Sequence, residues 1–110
     1  MNEPLIKRVD LGNDLVLEFH GRSNRYFGDY HRVQVDIDLF ITTPEGILRL
    51  RHQRPLKKMG VSGADIRRET EFMVSQFLSN TALYMRRPGF NLKLLESMQR
   101  PGQRLWKHID

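Results

Sequence analysis

One short segment of the chain concentrates the side-chain types that bind anions or transfer protons. Residues 20–31 read HGRSNRYFGDYH and contain two histidines, two arginines, one aspartate and three aromatic residues. Guanidinium groups and backbone amides bind phosphate and carboxylate, and histidine titrates near neutral pH. The segment therefore predicts a small-anion or enzymatic site with four candidate residues: His20, Arg22, Arg25 and His31.

The same segment also has a purely structural interpretation. It stands between two β-rich segments, so we expect a connection whose aromatic residues cap the open end of a sheet, with Asp29 paired to Arg22 or Arg25. Its two glycines lack the lysine and the serine or threonine of a phosphate-binding P-loop. We therefore assign no catalytic residue and favour a protein that is not an enzyme.

Other catalytic and metal-binding signatures are weak. The chain has no cysteine, which excludes disulfides, thiolate zinc sites, iron–sulfur clusters and cysteine nucleophiles. Its four histidines, at positions 20, 31, 52 and 108, lack the His-x-x-x-His spacing of a metal site. Asp36 and Asp38 share the polar face of a predicted strand, where we expect them to be exposed and to pair with Arg49 or Arg51. We predict no metal and no cofactor.

The charges are divided unequally between the two halves of the chain. Residues 1–48 contain five Lys or Arg against eight Asp or Glu, whereas residues 49–110 contain thirteen against five. A basic half can bind an anionic partner, but the two halves can also attract each other within one domain or across a dimer. The sequence is compatible with both an anionic partner and attraction between the two halves.

Nucleic acid is the anionic partner that the basic half would suit. Phosphate contacts by Lys and Arg dominate such binding and make it depend on salt concentration. The sequence contains no recognition helix, zinc finger or RNP-type aromatic motif. The candidate nucleic-acid-binding residues are Arg49, Arg51, Arg54, Lys57, Lys58, Arg67 and Arg68.

The first half of the chain has the residue pattern of antiparallel strands. A hairpin is predicted between residues 5 and 20, with its turn at residues 10–14. Residues 32–41 alternate strictly, with apolar residues at every odd position. A turn at residues 43–46 leads into a last strand over 47–52. These segments predict a β-meander of about four strands. Odd-numbered residues form the core in the strands around 15–20 and 32–41, whereas Arg49 and Arg51 of the last strand should face solvent.

The second half of the chain predicts two helices. Residues 53–60 break the strand pattern, and Ser62 is predicted to cap a long helix that ends before Pro88-Gly89. A shorter helix over residues 91–99 should turn Leu92, Leu95 and Met98 inwards. The buried stripe of the long helix is expected to comprise Ile66, Thr70, Met73, Phe77, Thr81 and Tyr84, supported by Val74, Leu78 and Met85.

These elements together predict a single α+β domain over residues 1–110. Residues 1–53 form the meander, residues 61–100 the helical part and residues 101–110 a basic tail. The N-terminus lacks the pattern of a signal peptide, and no apolar stretch approaches the roughly 20 residues that span a bilayer. We therefore expect no secretion and no membrane partner.

The order of these elements resembles a group of small uncharacterised bacterial proteins. The resemblance rests on Leu15-Val16-Leu17-Glu18-Phe19, Arg22-Ser23 and Gly28-Asp29-Tyr30, followed by the alternating strand and two helices. It implies a sheet-then-helices fold and a bacterial cytoplasmic location, but no activity. The sequence thus favours a non-enzymatic interaction module that forms a homodimer, with nucleic-acid binding and small-anion binding as alternatives.

Overall fold

The computed structural model describes residues 4–98 and 106–108, and it has the predicted α+β architecture. An antiparallel sheet is followed by a 3-10 turn over Gly63–Asp65, a long bent helical segment and a short helix. The strands are β1 (Leu5–Gly12), β2 (Leu15–Phe27), β3 (Tyr30–Thr43), β4 (Gly46–His52), β5 (Leu56–Ser62) and β6 (Trp106–His108). The helices are α1 (Ile66–Ser79), α2 (Thr81–Met85) and α3 (Phe90–Met98).

Strands β1 to β4 form the predicted meander, with β3 at its centre. The last part of β3 pairs with β4, through Asp38 opposite Arg51, and its first part pairs with β5, through Val35 opposite Leu56. The prediction that residues 53–60 only break the pattern is therefore wrong. A register shift in the β3–β5 pairing, with Gly60 at a φ of 70°, lets this glycine-containing segment join the sheet.

Residues 20–31 also differ from the prediction, because they form strands and not a long connection. Strand β2 continues to Phe27, and β3 begins at Tyr30. Gly28, at a φ of 53°, allows a tight turn between them. The polar residues of this segment are compatible with a strand because most of them face solvent.

The predicted core is confirmed on the odd-numbered face of the sheet. The buried residues of β2 and β3 on this face are Leu15, Leu17, Phe19, Val33, Val35, Ile37, Leu39 and Ile41. The helical segment covers them and contributes Val74, Phe77, Ala82, Met85 and Leu94. Burial of this apolar surface is the main force that holds the helices on the sheet.

The helical stripe departs from the prediction after residue 79. The expected long helix is interrupted at Asn80, so α2 begins in a new phase. Ala82 and Met85 are consequently buried, whereas Thr81 and Tyr84 are exposed. In α3 the buried residue is Leu94, while Leu92, which was predicted to face inwards, is 62% exposed.

The ends of the helical part differ in detail from the prediction. Ser62 stands before the 3-10 turn, but its hydroxyl hydrogen-bonds the carboxylate of Asp65 at 3.1 Å and caps no backbone amide. Part of the basic tail forms β6, which pairs with β4. The side chain of Met98 lies outside the described residues. Over the described ranges, no helix has the length and apolar character needed to cross a membrane.

Candidate functional site

Three carboxylates lie buried on the sheet face that points away from the helices, which we call the carboxylate face. Glu18, Asp36 and Asp38 are 6%, 3% and 0% exposed. Strand register brings them together, because Glu18 lies opposite Asp38 and His20 lies opposite Asp36. The prediction that the two aspartates are solvent-exposed is wrong. Arginine side chains from neighbouring strands lie over them and exclude water.

The arginines neutralise the carboxylates with short hydrogen bonds. Arg49 Nη2 donates to Asp38 Oδ2 at 2.9 Å, and Arg51 Nε donates to Asp38 Oδ1 at 2.9 Å. Arg22 Nη2 lies 3.4 Å from Asp36 Oδ2. The expected pairing of Asp38 with Arg49 and Arg51 is confirmed. Buried ions need partners of this kind because desolvation is costly.

A second part of this network includes a histidine. His20 Nε2 lies 3.0 Å from Glu18 Oε1 and 3.6 Å from Asp38 Oδ2. Arg8 also donates to Glu18. Atoms of Glu18, His20 and Asp38 all lie within 4.8 Å of one another, a spacing that suits a metal ion. The surrounding guanidinium groups repel a cation and already occupy carboxylate oxygens, so the cluster acts as a structural ion network.

The network controls the titration of its carboxylates. Burial alone would raise the pKa of Asp38, but hydrogen bonds from Arg51 and Arg49 outweigh it, and the pKa is lowered. Burial is likewise outweighed at Glu18, where hydrogen bonds from Arg8 and His20 lower the pKa. Separately, burial lowers the pKa of His52, whose ring lies edge-on to Phe77 at 5.9 Å. All three groups bind protons less readily in the folded state.

We expect the free energy of unfolding to decrease as the pH falls. The unfolded chain takes up a proton at His52 below about pH 6.5 and at the two carboxylates below about pH 5, before the folded chain does. Urea midpoints at about pH 7, 5.5 and 4 would show two successive losses. In Asp38→Asn the second loss should shrink while the first is retained. Equal midpoints at all three pH values would contradict this expectation.

The second notable surface is the arm, which we define as residues 22–34 and 56–62. On it, β2, β3 and β5 form a three-stranded sheet that ends in the turn after Phe27. Tyr26, Phe27, Tyr30 and Met59 are all exposed there, and Phe27 is 71% exposed. Exposed aromatic groups clustered at one strand end make the arm a candidate binding surface.

The four predicted anion-binding residues do not meet at one site. His20 belongs to the ion network, and Arg22 lies close to Asp36. Arg25 lies opposite His31 on the arm, and the ring Nδ1 of His31 lies 3.0 Å from the carbonyl of Asp29. Side chains alternate along β2, so His20 and Arg22 lie on one face of the sheet and Arg25 lies on the other. A sequence prediction in which β2 continued to Phe27 would have given the same separation.

The predicted nucleic-acid-binding residues are also dispersed. Arg49 and Arg51 bind Asp38, and Lys58 Nζ lies 2.8 Å from Glu69 Oε1. On α1, Arg68 pairs with Asp65 at 3.0 Å and Arg67 lies 3.9 Å from Glu71. Within the described ranges, the two members of this set that form no ion pair are Arg54 and Lys57.

Comparisons of the chain with protein-family models, with curated proteins and with solved structures found no match. The resemblance to small bacterial proteins stays a prediction. Function must therefore be argued from the surfaces of this chain alone.

Proposed function

We propose that the chain binds single-stranded nucleic acid with the uncovered face of the arm. One observation carries the proposal, namely that Tyr26, Phe27 and Tyr30 are exposed on the arm together with Lys57, an exposed cation that forms no ion pair with a described residue. Proteins bind single strands by stacking bases on aromatic rings and by following the phosphates with basic groups. The arm supplies both kinds of group on one surface.

Strand geometry supports a common face for the three rings. Tyr30 has the same parity along β3 as the buried aspartates, so it faces away from the helices. Phe27 lies directly opposite Tyr30 in the β2–β3 pairing. Tyr26 follows Asn24 by two positions, and Asn24 lies opposite the even-numbered Arg32, so strand alternation places Tyr26 on the same face. A register shift between Arg25 and Phe27 turns both neighbouring rings towards this face.

Cations extend the same face towards the rest of the sheet. Arg22, Gln34 and Lys57 lie in one cross-strand row of the arm. Lys57 is exposed and forms no ion pair with any described residue, so it is available for a phosphate. Arg25 is also exposed, but alternation places it on the opposite face of β2. Of the seven nucleic-acid-binding residues predicted from the sequence, the proposal therefore keeps Lys57.

The proposal predicts a large effect from removing two rings. Phe27→Ala/Tyr30→Ala should weaken binding to labelled oligo-dT and oligo-U about a hundredfold in fluorescence anisotropy, because each stacked base contributes about 1–3 kcal/mol. Lys57→Gln should reduce the salt slope of log affinity by about 0.7. Phe72→Ala removes an exposed aromatic ring of α1 and serves as the matched control. Unchanged affinity in the double variant would contradict the proposal.

Self-association is the second candidate, and one observation favours it. Beyond Gly21, whose amide donates to the carbonyl of Pro4 at 2.9 Å, residues 23–27 of β2 pair only with β3 in the described chain. Two such edges can pair across a two-fold axis. Attraction between the acidic and basic halves gives little support to a dimer, because the buried carboxylates are already neutralised within the chain.

Salt dependence separates the two candidates. Pairing of two β2 edges brings Arg22 and Arg25 of both copies together, so added salt should promote a dimer. Nucleic-acid binding should weaken under the same conditions. Mass measurements across a range of salt and protein concentrations, made with and without oligonucleotide, distinguish the two.

A bacterial cytoplasmic location is part of the proposal and is supported by the sequence resemblance.

A further inference from the structure

We propose that a second surface, a cleft at the open edge of β2, binds a small organic molecule that carries a phosphate group. The cleft has a volume of about 790 Å³. It lies between the beginning of β1, the middle of β2 and β3, and the first turns of α1. None of the three exposed rings of the arm lines it, although Arg22 and Gln34 belong to both surfaces.

The cleft is lined by more positive than negative groups. Arg22, Arg32 and Arg67 line it, and Glu71 is the one acidic residue among the lining residues. The cleft also includes Ile66, the first residue of α1, where the helix dipole favours an anion. Guanidinium groups suit phosphate because they donate two parallel hydrogen bonds.

Arg32 provides the observation that points to a ligand. Its Nε atom is buried and has no hydrogen-bond partner among the described residues. An unpaired buried donor is unfavourable, and a donor of a charged group especially so. Arg32 also lines the cleft, so a turn of its side chain towards a bound phosphate would give this guanidinium an acceptor. Neighbouring Ser23, Asn24 and Thr70 add hydroxyl and amide groups to the same lining.

The size and apolar wall of the cleft indicate an organic ligand in place of a bare ion. Leu5, Ile6 and Val33 line it beside the cations. Small-molecule sites combine apolar walls with a few polar groups and enclose about 300–1,000 Å³. Inorganic phosphate would leave the apolar part of this cleft unfilled. Phenyl phosphate matches the required chemistry, with an apolar ring attached to a dianion.

Isothermal titration calorimetry with phenyl phosphate tests the inference. The wild-type chain should bind phenyl phosphate more tightly than inorganic phosphate or benzoate, and Arg32→Gln should weaken binding about tenfold or more. Arg67→Gln, at an exposed helical position, should also weaken binding and keeps the test valid if Arg32→Gln unfolds. Arg54→Gln is the control, since Arg54 is exposed, unpaired within the described chain and outside the cleft.

The outcomes are decisive in each case. No binding of phenyl phosphate to the wild-type chain at about 10 mM, weaker than the affinities of specific sites, would overturn the inference. Equal binding by the wild-type chain and both cleft variants would also overturn it. Preference for benzoate over phenyl phosphate would reject phosphate as the recognised group. Phe27→Ala/Tyr30→Ala should still bind phenyl phosphate, which separates this inference from the proposed nucleic-acid function.

Discussion

Replacing Asp38 by asparagine is expected to lower the free energy of unfolding by about 3 kcal/mol. Asp38 is completely buried and accepts hydrogen bonds from both Arg49 and Arg51. The substitution removes the negative charge that neutralises the two guanidinium groups, while the side-chain volume stays nearly the same. Arg49 and Arg51 are partly exposed, so water can solvate their charges once the carboxylate is gone. The expected loss of stability is therefore at the lower end of the range for breaking a buried ion pair.

Urea denaturation measures this effect through the transition midpoint. Glu45→Gln is the matched control, since it makes the same chemical change at an exposed residue in the β3–β4 turn and should alter stability by less than about 0.5 kcal/mol. If Asp38→Asn lost under 1 kcal/mol, about the scale of a surface pair, the network would not be the internal support described above.

Replacing Phe19 by alanine is expected to cost about 4 kcal/mol of unfolding free energy. Phe19 is fully buried on the helix-covered face of β2, and its ring meets that of Phe77 edge-to-face with centroids 5.7 Å apart. The variant loses both the transfer of a large apolar side chain out of water and its packing against α1. A cavity would remain between sheet and helix.

The measurement is again the urea midpoint, with helix content followed by far-ultraviolet circular dichroism. Phe72→Ala removes the same side chain from an exposed position of α1 and should change stability by less than about 0.5 kcal/mol. A loss below about 1.5 kcal/mol for Phe19→Ala would mean that α1 does not rest on this ring. The comparison tests the contact that joins the two halves of the fold.

The sheet core was predictable because one local rule governs it. Side chains of a strand alternate between faces, so the apolar residues at 33, 35, 37, 39 and 41 had to share one face. The helical segment was predictable for the same kind of reason, and Met85 is buried as predicted. The interruption at Asn80, however, buries Ala82 and leaves Thr81 and Tyr84 exposed. Periodicity identifies a buried face only while the element continues without a break.

The sequence does not predict the arm, because the residues of its strands resemble those of a loop. Residues 22–25, Arg-Ser-Asn-Arg, have low strand propensity, and Gly60 interrupts the apolar pattern of β5. Pairing with β3 on both sides overrides these local preferences. The aromatic residues near the turn are evident in the sequence, but their common exposed face follows from the extended hairpin and its register shift.

The sequence by itself determined the α+β class and the buried face of the meander. It also predicted an ion pair between Asp38 and Arg49 or Arg51. Only the tertiary structure decided that the opposite face is also buried. That burial depends on register across β1, β2, β3 and β4, which places Arg8, Glu18, Asp38 and Arg51 in one row. The cleft likewise arises where the beginning of β1 approaches α1. Alternation is a local property, whereas register and the approach of distant elements are global ones.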